Sequence, residues 1–202
     1  MVNLMNVEKA EKIRLKLQNS SVGIAGAGGL GSNIAVSLAR AGIGRLVVVD
    51  FDSVEESNLN RQYYFRDQID MVKVEALREN INRIDESIKV EIFNHRLTKD
   101  TMDRPFHDVD VIVEALDNAD TKTTFIEEIM QKLPNTPVVG CSGVAGYGKS
   151  DRIKTKRLGN LYMVYDKYAK DDDKDVLVAP RVILMANWQA NIVLEIILGE
   201  DK

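Results

Sequence analysis

The chain has 202 residues, with 27 Lys and Arg against 31 Asp and Glu and a formal net charge of −4. That is about one domain's length, and the charge excludes the broad basic face that a nucleic-acid or membrane-surface binder needs. A lone cysteine, Cys141, excludes an internal disulfide framework and a four-cysteine zinc site and suits a reducing cytoplasm.

The first 18 residues interleave Glu8, Lys9, Glu11, Lys12 and Lys16 with aliphatics, unlike a signal peptide. No uncharged apolar run approaches the roughly 18 residues of a membrane span. Residues 21–26 form a short apolar run ending in glycine, which predicts a buried strand. Ile34, Leu38 and Ala41 then recur at helical spacing, and Gly42 and Gly44 stop the helix. Residues 45–50 (R-L-V-V-V-D) are a second buried strand, and Val74, Leu77, Ile81 and Ile84 mark a second amphipathic helix. Ile88, Val90 and Ile92 alternate with polar residues as a half-buried strand does, and residues 109–115 form the next buried strand. A helix carrying Phe125, Ile126, Ile129, Met130 and Leu133 follows, and then a strand over 137–141.

After this the alternation ends. Residues 152–158 and 161–165 flank Gly159-Asn160, a two-residue hairpin signal. Residues 168–175 (Y-A-K-D-D-D-K-D) predict a charged mobile loop, and 182–198 are apolar nearly all round, which predicts a buried closing helix. Strands alternating with helices imply right-handed crossovers and a mostly parallel sheet covered on both faces. The expected fold is therefore a single doubly wound, Rossmann-like α/β domain. Its core spans 21–141, and 142–202 add a small antiparallel extension, a crossover loop and the closing helix.

Gly26-Ala27-Gly28-Gly29-Leu30-Gly31 fits G-x-G-x-x-G between a strand and a helix. There glycines allow a tight turn, and backbone N–H groups at the helix N-terminus meet phosphate oxygens. Asp50 ends the next strand, where a carboxylate accepts both ribose hydroxyls. These features suit NAD and ATP alike. A dehydrogenase usually adds a histidine acid/base and a second domain, whereas His95 and His107 lie in charged segments and read as surface residues.

The segment Asp50-Phe51-Asp52-Ser53-Val54-Glu55-Glu56-Ser57-Asn58-Leu59-Asn60-Arg61-Gln62 resembles the signature of the ThiF/MoeB/HesA family, relatives of ubiquitin-activating enzymes. G-A-G-G-L-G-S, Lys73 in M-V-K-V-E-A, Asp117-Asn118 after E-A-L, Ala179-Pro180-Arg181 and Gln189-Ala190 extend the resemblance over residues 21–199. It is similar above all to the short, zinc-free ThiF-like branch.

The resemblance implies ATP with Mg²⁺. Gly29 and its loop would hold the phosphates, Asp50 the ribose, and Asn58 and Arg61 the triphosphate. Lys73 would sit near the α- or β-phosphate, Asp117 would ligate Mg²⁺, and Asp52, Ser57, Asn60 and Asn118 would complete the nucleotide set. It also implies adenylation of the C-terminal carboxylate of a small ubiquitin-like sulfur carrier ending in Gly-Gly, ThiS-like and in thiamine biosynthesis, by a homodimer. The catalytic group would be Arg61, Lys73 and Asp117.

Taken alone, each of these residues has a plainer reading. Lys73 reads as a solvated helix residue, Asp117 as a helix cap, and Arg61 as a partner of Glu55 or Glu56. A non-catalytic scaffold, a carrier from another sulfur pathway or molybdopterin synthesis, and an NAD-dependent oxidoreductase are the alternative readings.

A C-terminal carboxylate with a pKa of about 3.5 is already ionised at neutral pH, so its attack on phosphorus needs positioning and charge neutralisation but no general base. Relatives that continue to a thioester carry a cysteine in the crossover loop. Here residues 166–178 contain none, and Cys141 reads as a small buried core residue.

Overall fold

A computed structural model describes residues 4–169 and 175–199. Strands β1 (Ser21–Ala25), β2 (Arg45–Asp50), β3 (Lys89–Asn94), β4 (Val111–Glu114), β5 (Val138–Ser142), β6 (Lys154–Leu158) and β7 (Leu161–Tyr165) form one sheet in the order β3-β2-β1-β4-β5-β7-β6. All neighbouring pairs are parallel except β6 with β7. The hairpin predicted near Gly159-Asn160 is present, but β7 pairs in parallel with β5, so the expected extension continues the central sheet.

Central strands are apolar at nearly every position because both faces are covered. Val22, Ile24, Leu46 and Val48 face one side, where α1 (Leu4–Gln18), α2 (Gly29–Ala41), α3 (Lys73–Asn82) and α5 (Ala179–Leu198) pack. Ala25, Val47 and Val49 face the other, against Phe106 from segment 97–109 and Phe125 and Ile129 of α4 (Ala119–Lys132). The phenyl rings of Phe106 and Phe125 meet edge to face, centroids 5.8 Å apart. His95 and His107 are exposed, as expected, and His107 Nε2 lies 3.1 Å from the Asp103 carboxylate.

Three sequence expectations need correction. Helix α1 was passed over because its charges hide a thin apolar seam: Leu17 is 3% exposed and Ile13 packs on the same core. Helix α5 is amphipathic rather than buried all round, since Val182, Met185, Ala186, Gln189 and Val193 are buried while Ile183, Asn187 and Asn191 are exposed. By length and composition it could cross a membrane; here half of its apolar stretch is buried within the protein.

The third correction concerns the charged loop. Just before it, Asp166, the first residue of the crossover segment 166–178, is buried and accepts a 2.7 Å bond from Arg181 Nη2. The guanidinium beside it, with the Tyr168 N–H, holds that carboxyl below its usual range against the opposing effect of burial. Residues 170–174 of the predicted loop lie outside the described residues.

Asp166 and Arg181 pin the end of β7 to the first turn of α5. Asp166→Ala should destabilise the fold by about 3–5 kcal/mol, because a buried guanidinium is left without its charge partner. Urea unfolding should show a lower midpoint with an unchanged slope; a loss below about 1 kcal/mol would contradict the buried pairing.

Candidate functional site

The C-terminal edge of a parallel sheet binds ligands where the strand order reverses, and here that point lies between β1 and β4. The turn from β1 into α2 needs glycine for two reasons. Gly26 has φ +98°, and a Cβ at Gly31 would stand 1.9 Å from the Gly26 carbonyl oxygen. Gly28 differs: a Cβ there would meet nothing nearer than Gln62 Nε2 at 3.9 Å. Packing does not demand glycine at 28, which leaves the backbone open to close approach from outside the turn. Gly28 caps α2 without a side-chain hydrogen bond, which leaves the opening N–H groups of the helix without a side-chain acceptor, the arrangement that suits an anion.

Asp50, at the end of β2, is built into this turn. Its Oδ2 accepts from Ala27 N–H at 2.6 Å and its Oδ1 from Asp52 N–H at 2.8 Å. Two residues on, Asp52 pairs with Lys73 Nζ at 2.9 Å, and the Lys73 N–H donates to the Asp52 carbonyl at 2.9 Å. Lys73 is only 6% exposed at the start of α3, which excludes the solvated-helix reading. Burying an ammonium requires a partner, and Asp52 supplies one at the sheet edge.

The next segment folds back over the glycine turn. Tyr64, 5% exposed, donates its hydroxyl to the Ala27 carbonyl at 2.7 Å. Burial, with Asp50 and Asp52 adding to it, pushes that hydroxyl well above the usual tyrosine range, so it remains a donor. Ser32 Oγ donates to Gly28 O at 2.7 Å and accepts from Tyr63 N–H at 2.9 Å.

Arg61 crosses the loop, with its Cγ and Cδ 3.8 and 4.0 Å from where a Gly29 Cβ would be. Its Nη1 donates to Ser57 O at 3.0 Å and Asn60 Oδ1 at 2.8 Å, not to Glu55 or Glu56; Glu56 pairs with Arg66. Asn58 is buried and turned inward, its Oδ1 accepting from Glu55 N–H at 3.1 Å, while Ser57 Oγ donates to Glu55. Asn58 and Ser57 thus shape the turn that carries Arg61.

Asp117 lies exposed just beyond β4 and accepts the Asn118 N–H at 2.7 Å. The cap of α4 is Asn118, whose Oδ1 takes the Thr121 N–H at 2.9 Å. Asp117 therefore does not serve as the cap and stands at the switch point. Glu114 supports it from behind. Fully buried, Glu114 binds Lys122 Nζ through both oxygens at 2.7 and 2.9 Å and accepts the Leu116 N–H at 2.8 Å. Burial pushes the Glu114 carboxyl up, and Lys122 opposes the shift.

Beside this edge, α5 brings Val182 against Gly29, 3.0 Å from its would-be Cβ. A cavity of about 310 Å³ adjoins the start of α5, lined by Tyr147, Lys149, Arg152, Asp166, Tyr168 and Arg181 among others. Among the described residues, no three His, Cys, Asp or Glu side chains gather as a cage for a metal. One exposed carboxylate near a phosphate loop is nonetheless what Mg²⁺ needs when phosphates supply its other oxygens.

The sequence pattern named the glycines, Asp50, Asp52, Arg61, Lys73 and Asp117: the glycines, Asp50, Asp52 and Asp117 stand at or just beyond the ends of β1, β2 and β4, Arg61 lies over Gly29, and Lys73 opens α3 beside Asp52. It missed Ser32, Asn33, Tyr64 and Glu114, polar groups buried at 0–7% exposure that lock the turns together. An asparagine inside an apolar helix and a glutamate ending an apolar strand were the available signals.

The second and third glycines of the motif, Gly28 and Gly31, should separate experimentally. Gly31→Ala should fail to fold, because its clash is with backbone. Gly28→Ala should keep the wild-type melting temperature within a few degrees yet weaken ATP–Mg²⁺ about tenfold, roughly 1.4 kcal/mol. Equal ATP affinity for Gly28→Ala in calorimetry would remove this turn from the binding site.

Comparison with known proteins places this geometry. The ThiF family model matches residues 2–202. The chain is 32% identical over 164 residues to the adenylyltransferase and sulfurtransferase UBA4 of Vanderwaltozyma polyspora, covering 80% of this chain and 37% of that protein. It is 38% identical over 110 residues to the adenylyltransferase and sulfurtransferase MOCS3 of Aedes aegypti, covering 54% and 25%. The chain thus spans well under half the length of these curated relatives.

Among solved structures, the E. coli tRNA N6-threonylcarbamoyladenosine dehydratase TcdA in complex with ATP superposes with a TM-score of 0.85 at 20% identity, covering 93% of this chain and 89% of that one. E. coli MccB with ATP gives 0.71 at 23% identity, covering 92% and 57%. At such identities the structures speak for a shared fold. On the match along its length, joined to the glycine turn and the edge it organises, the chain belongs to the ThiF family.

Proposed function

We propose that this chain uses ATP to adenylate the C-terminal carboxylate of a small ubiquitin-like carrier protein, releasing pyrophosphate. The observation that carries the reading is the alignment of one sheet edge: phosphate loop, Asp50, the buried Lys73 with Asp52, Arg61 and the exposed Asp117, with a cavity alongside. The two curated relatives, both named adenylyltransferases, and the two solved structures with ATP support it.

In this reading the N–H groups opening α2 and the Arg61 fork hold phosphate oxygens. Asp50 accepts from the ribose hydroxyls, and Lys73 supplies a point charge toward the α- or β-phosphate. Asp117 holds the Mg²⁺ that arrives with ATP and lessens the charge on the phosphates. The carrier's tail enters past the cavity beside α5. One carboxylate oxygen forms a bond to the α-phosphorus, the bond from that phosphorus to the β-bridging oxygen breaks, and pyrophosphate leaves with the electron pair. No proton moves, so the step needs no general base.

Cys141 is fully buried on β5, which suits a purely structural thiol and a reducing, cytoplasmic setting. A ThiS-like carrier ending in Gly-Gly, in thiamine biosynthesis, is the substrate we favour; carriers of other sulfur pathways share the same chemistry. A homodimer is the assembly we expect by family.

Pyrophosphate exchange into ATP, stimulated by a Gly-Gly carrier, is the test. Lys73→Ala and Asp117→Ala should each cut exchange by about 10²–10³ while Asp117→Ala leaves the melting temperature unchanged. Exchange unaffected by both substitutions would favour a non-catalytic scaffold, and NAD bound more tightly than ATP would revive the oxidoreductase reading.

A further inference from the structure

Asn33 lies inside α2, where asparagine is a poor helix former, and it is only 7% exposed. Its side-chain Nδ2 makes two bonds: to Gly29 O at 2.7 Å, one turn back in the helix, and to Arg61 O at 3.0 Å, 28 residues along the chain. The first bond is a local helical one that a serine makes equally well. The second fixes the Arg61 backbone to the first turn of the phosphate-binding helix.

From that anchor the Arg61 side chain runs over Gly29, and Ser57 O and Asn60 Oδ1 take up its Nη1. Ser32 with Tyr63 and Tyr64 with Ala27 tie down the following residues. The Arg61 N–H donates to Asn58 O at 3.1 Å within its own turn, whereas Asn33 ties the Arg61 carbonyl to α2.

We propose that Asn33 is the positioning residue that holds Arg61 in register with the phosphate loop, without touching the nucleotide. The inference rests on the adenylation reading and assigns Asn33 a role through Arg61 alone. A reach of 3.0 Å to a backbone carbonyl sets where the guanidinium starts. A misplacement of about 1 Å at such a group costs up to about 10²-fold in rate.

A double-mutant cycle decides it. Asn33→Ser keeps a hydroxyl for Gly29 O but is too short for Arg61 O, so helix α2 is preserved while the anchor is lost. In pyrophosphate exchange Asn33→Ser should lose about tenfold or more. Combined with Arg61→Ala it should match Arg61→Ala alone within about twofold, the signature of two residues acting as one unit. Asn33→Ala, which also drops the helical bond, is the second variant and should give the same coupling whatever its melting temperature.

If the Asn33 and Arg61 effects multiply, the inference is overturned and the adenylation reading stands. If the wild-type protein exchanges no pyrophosphate with any Gly-Gly carrier, the reading is overturned. The same cycle on calorimetric ATP affinity then decides the inference, coupling supporting it and independence overturning it.

Discussion

The close approach of Gly31 to the Gly26 carbonyl governs this molecule. A side chain there would lie 1.9 Å from that oxygen, so only glycine lets α2 start directly above the end of β1. Once the helix starts there, its opening N–H groups point over the sheet edge. Asp50 then finds the Ala27 N–H, Tyr64 the Ala27 carbonyl and Asn33 the Arg61 carbonyl. The site is therefore not a set of side chains placed on a finished fold. Its hydrogen bonds are the ones that close the β1–α2 turn, and the residues carrying charge are held by them.

A chain of net charge −4 that binds a polyanion must concentrate its cations locally. Here each cation has a defined mooring. Lys73 is buried against Asp52, and Arg61 is draped over Gly29 and tethered at Ser57 and Asn60. Lys122 serves Glu114 beneath the turn that ends in Asp117. In the proposed adenylation, fixed charges of this kind would need little rearrangement as charge moves from the carboxylate to pyrophosphate, and that preorganisation is where electrostatic catalysis gains most. Arg181 and Asp166 extend the same logic to the start of α5, where they hold the wall of the adjoining cavity.

Much of this was legible in the sequence because local rules and tertiary need agreed. The β-branched runs became central strands and the glycine motif fell between β1 and α2. Disagreement arose where burial depends on distant partners. The seam of α1 is too narrow to read against its charges, yet Leu17 is buried by the core it joins. Asp166, two residues before the charged run, gave no local sign of burial, because its partner Arg181 lies 15 residues on. Lys73 looked solvated for the same reason, since its partner Asp52 comes from the far side of a turn. Asp117 and Asn118 are both good caps by type, and it is the bond from the Thr121 N–H to Asn118 Oδ1 that assigns the role to Asn118. Asn33 and Tyr64 carried the weakest signal, because a single buried hydrogen bond leaves no periodicity.

The central claim is that a carboxylate oxygen of the carrier attacks the α-phosphorus of ATP. A carrier whose C-terminal carboxylate is labelled with ¹⁸O tests it most directly. After turnover with ATP and cleavage of the product by hydroxylamine at the carbonyl carbon, AMP should be released carrying one ¹⁸O atom by mass spectrometry. AMP without label, or ADP with labelled phosphate in its place, would contradict the account.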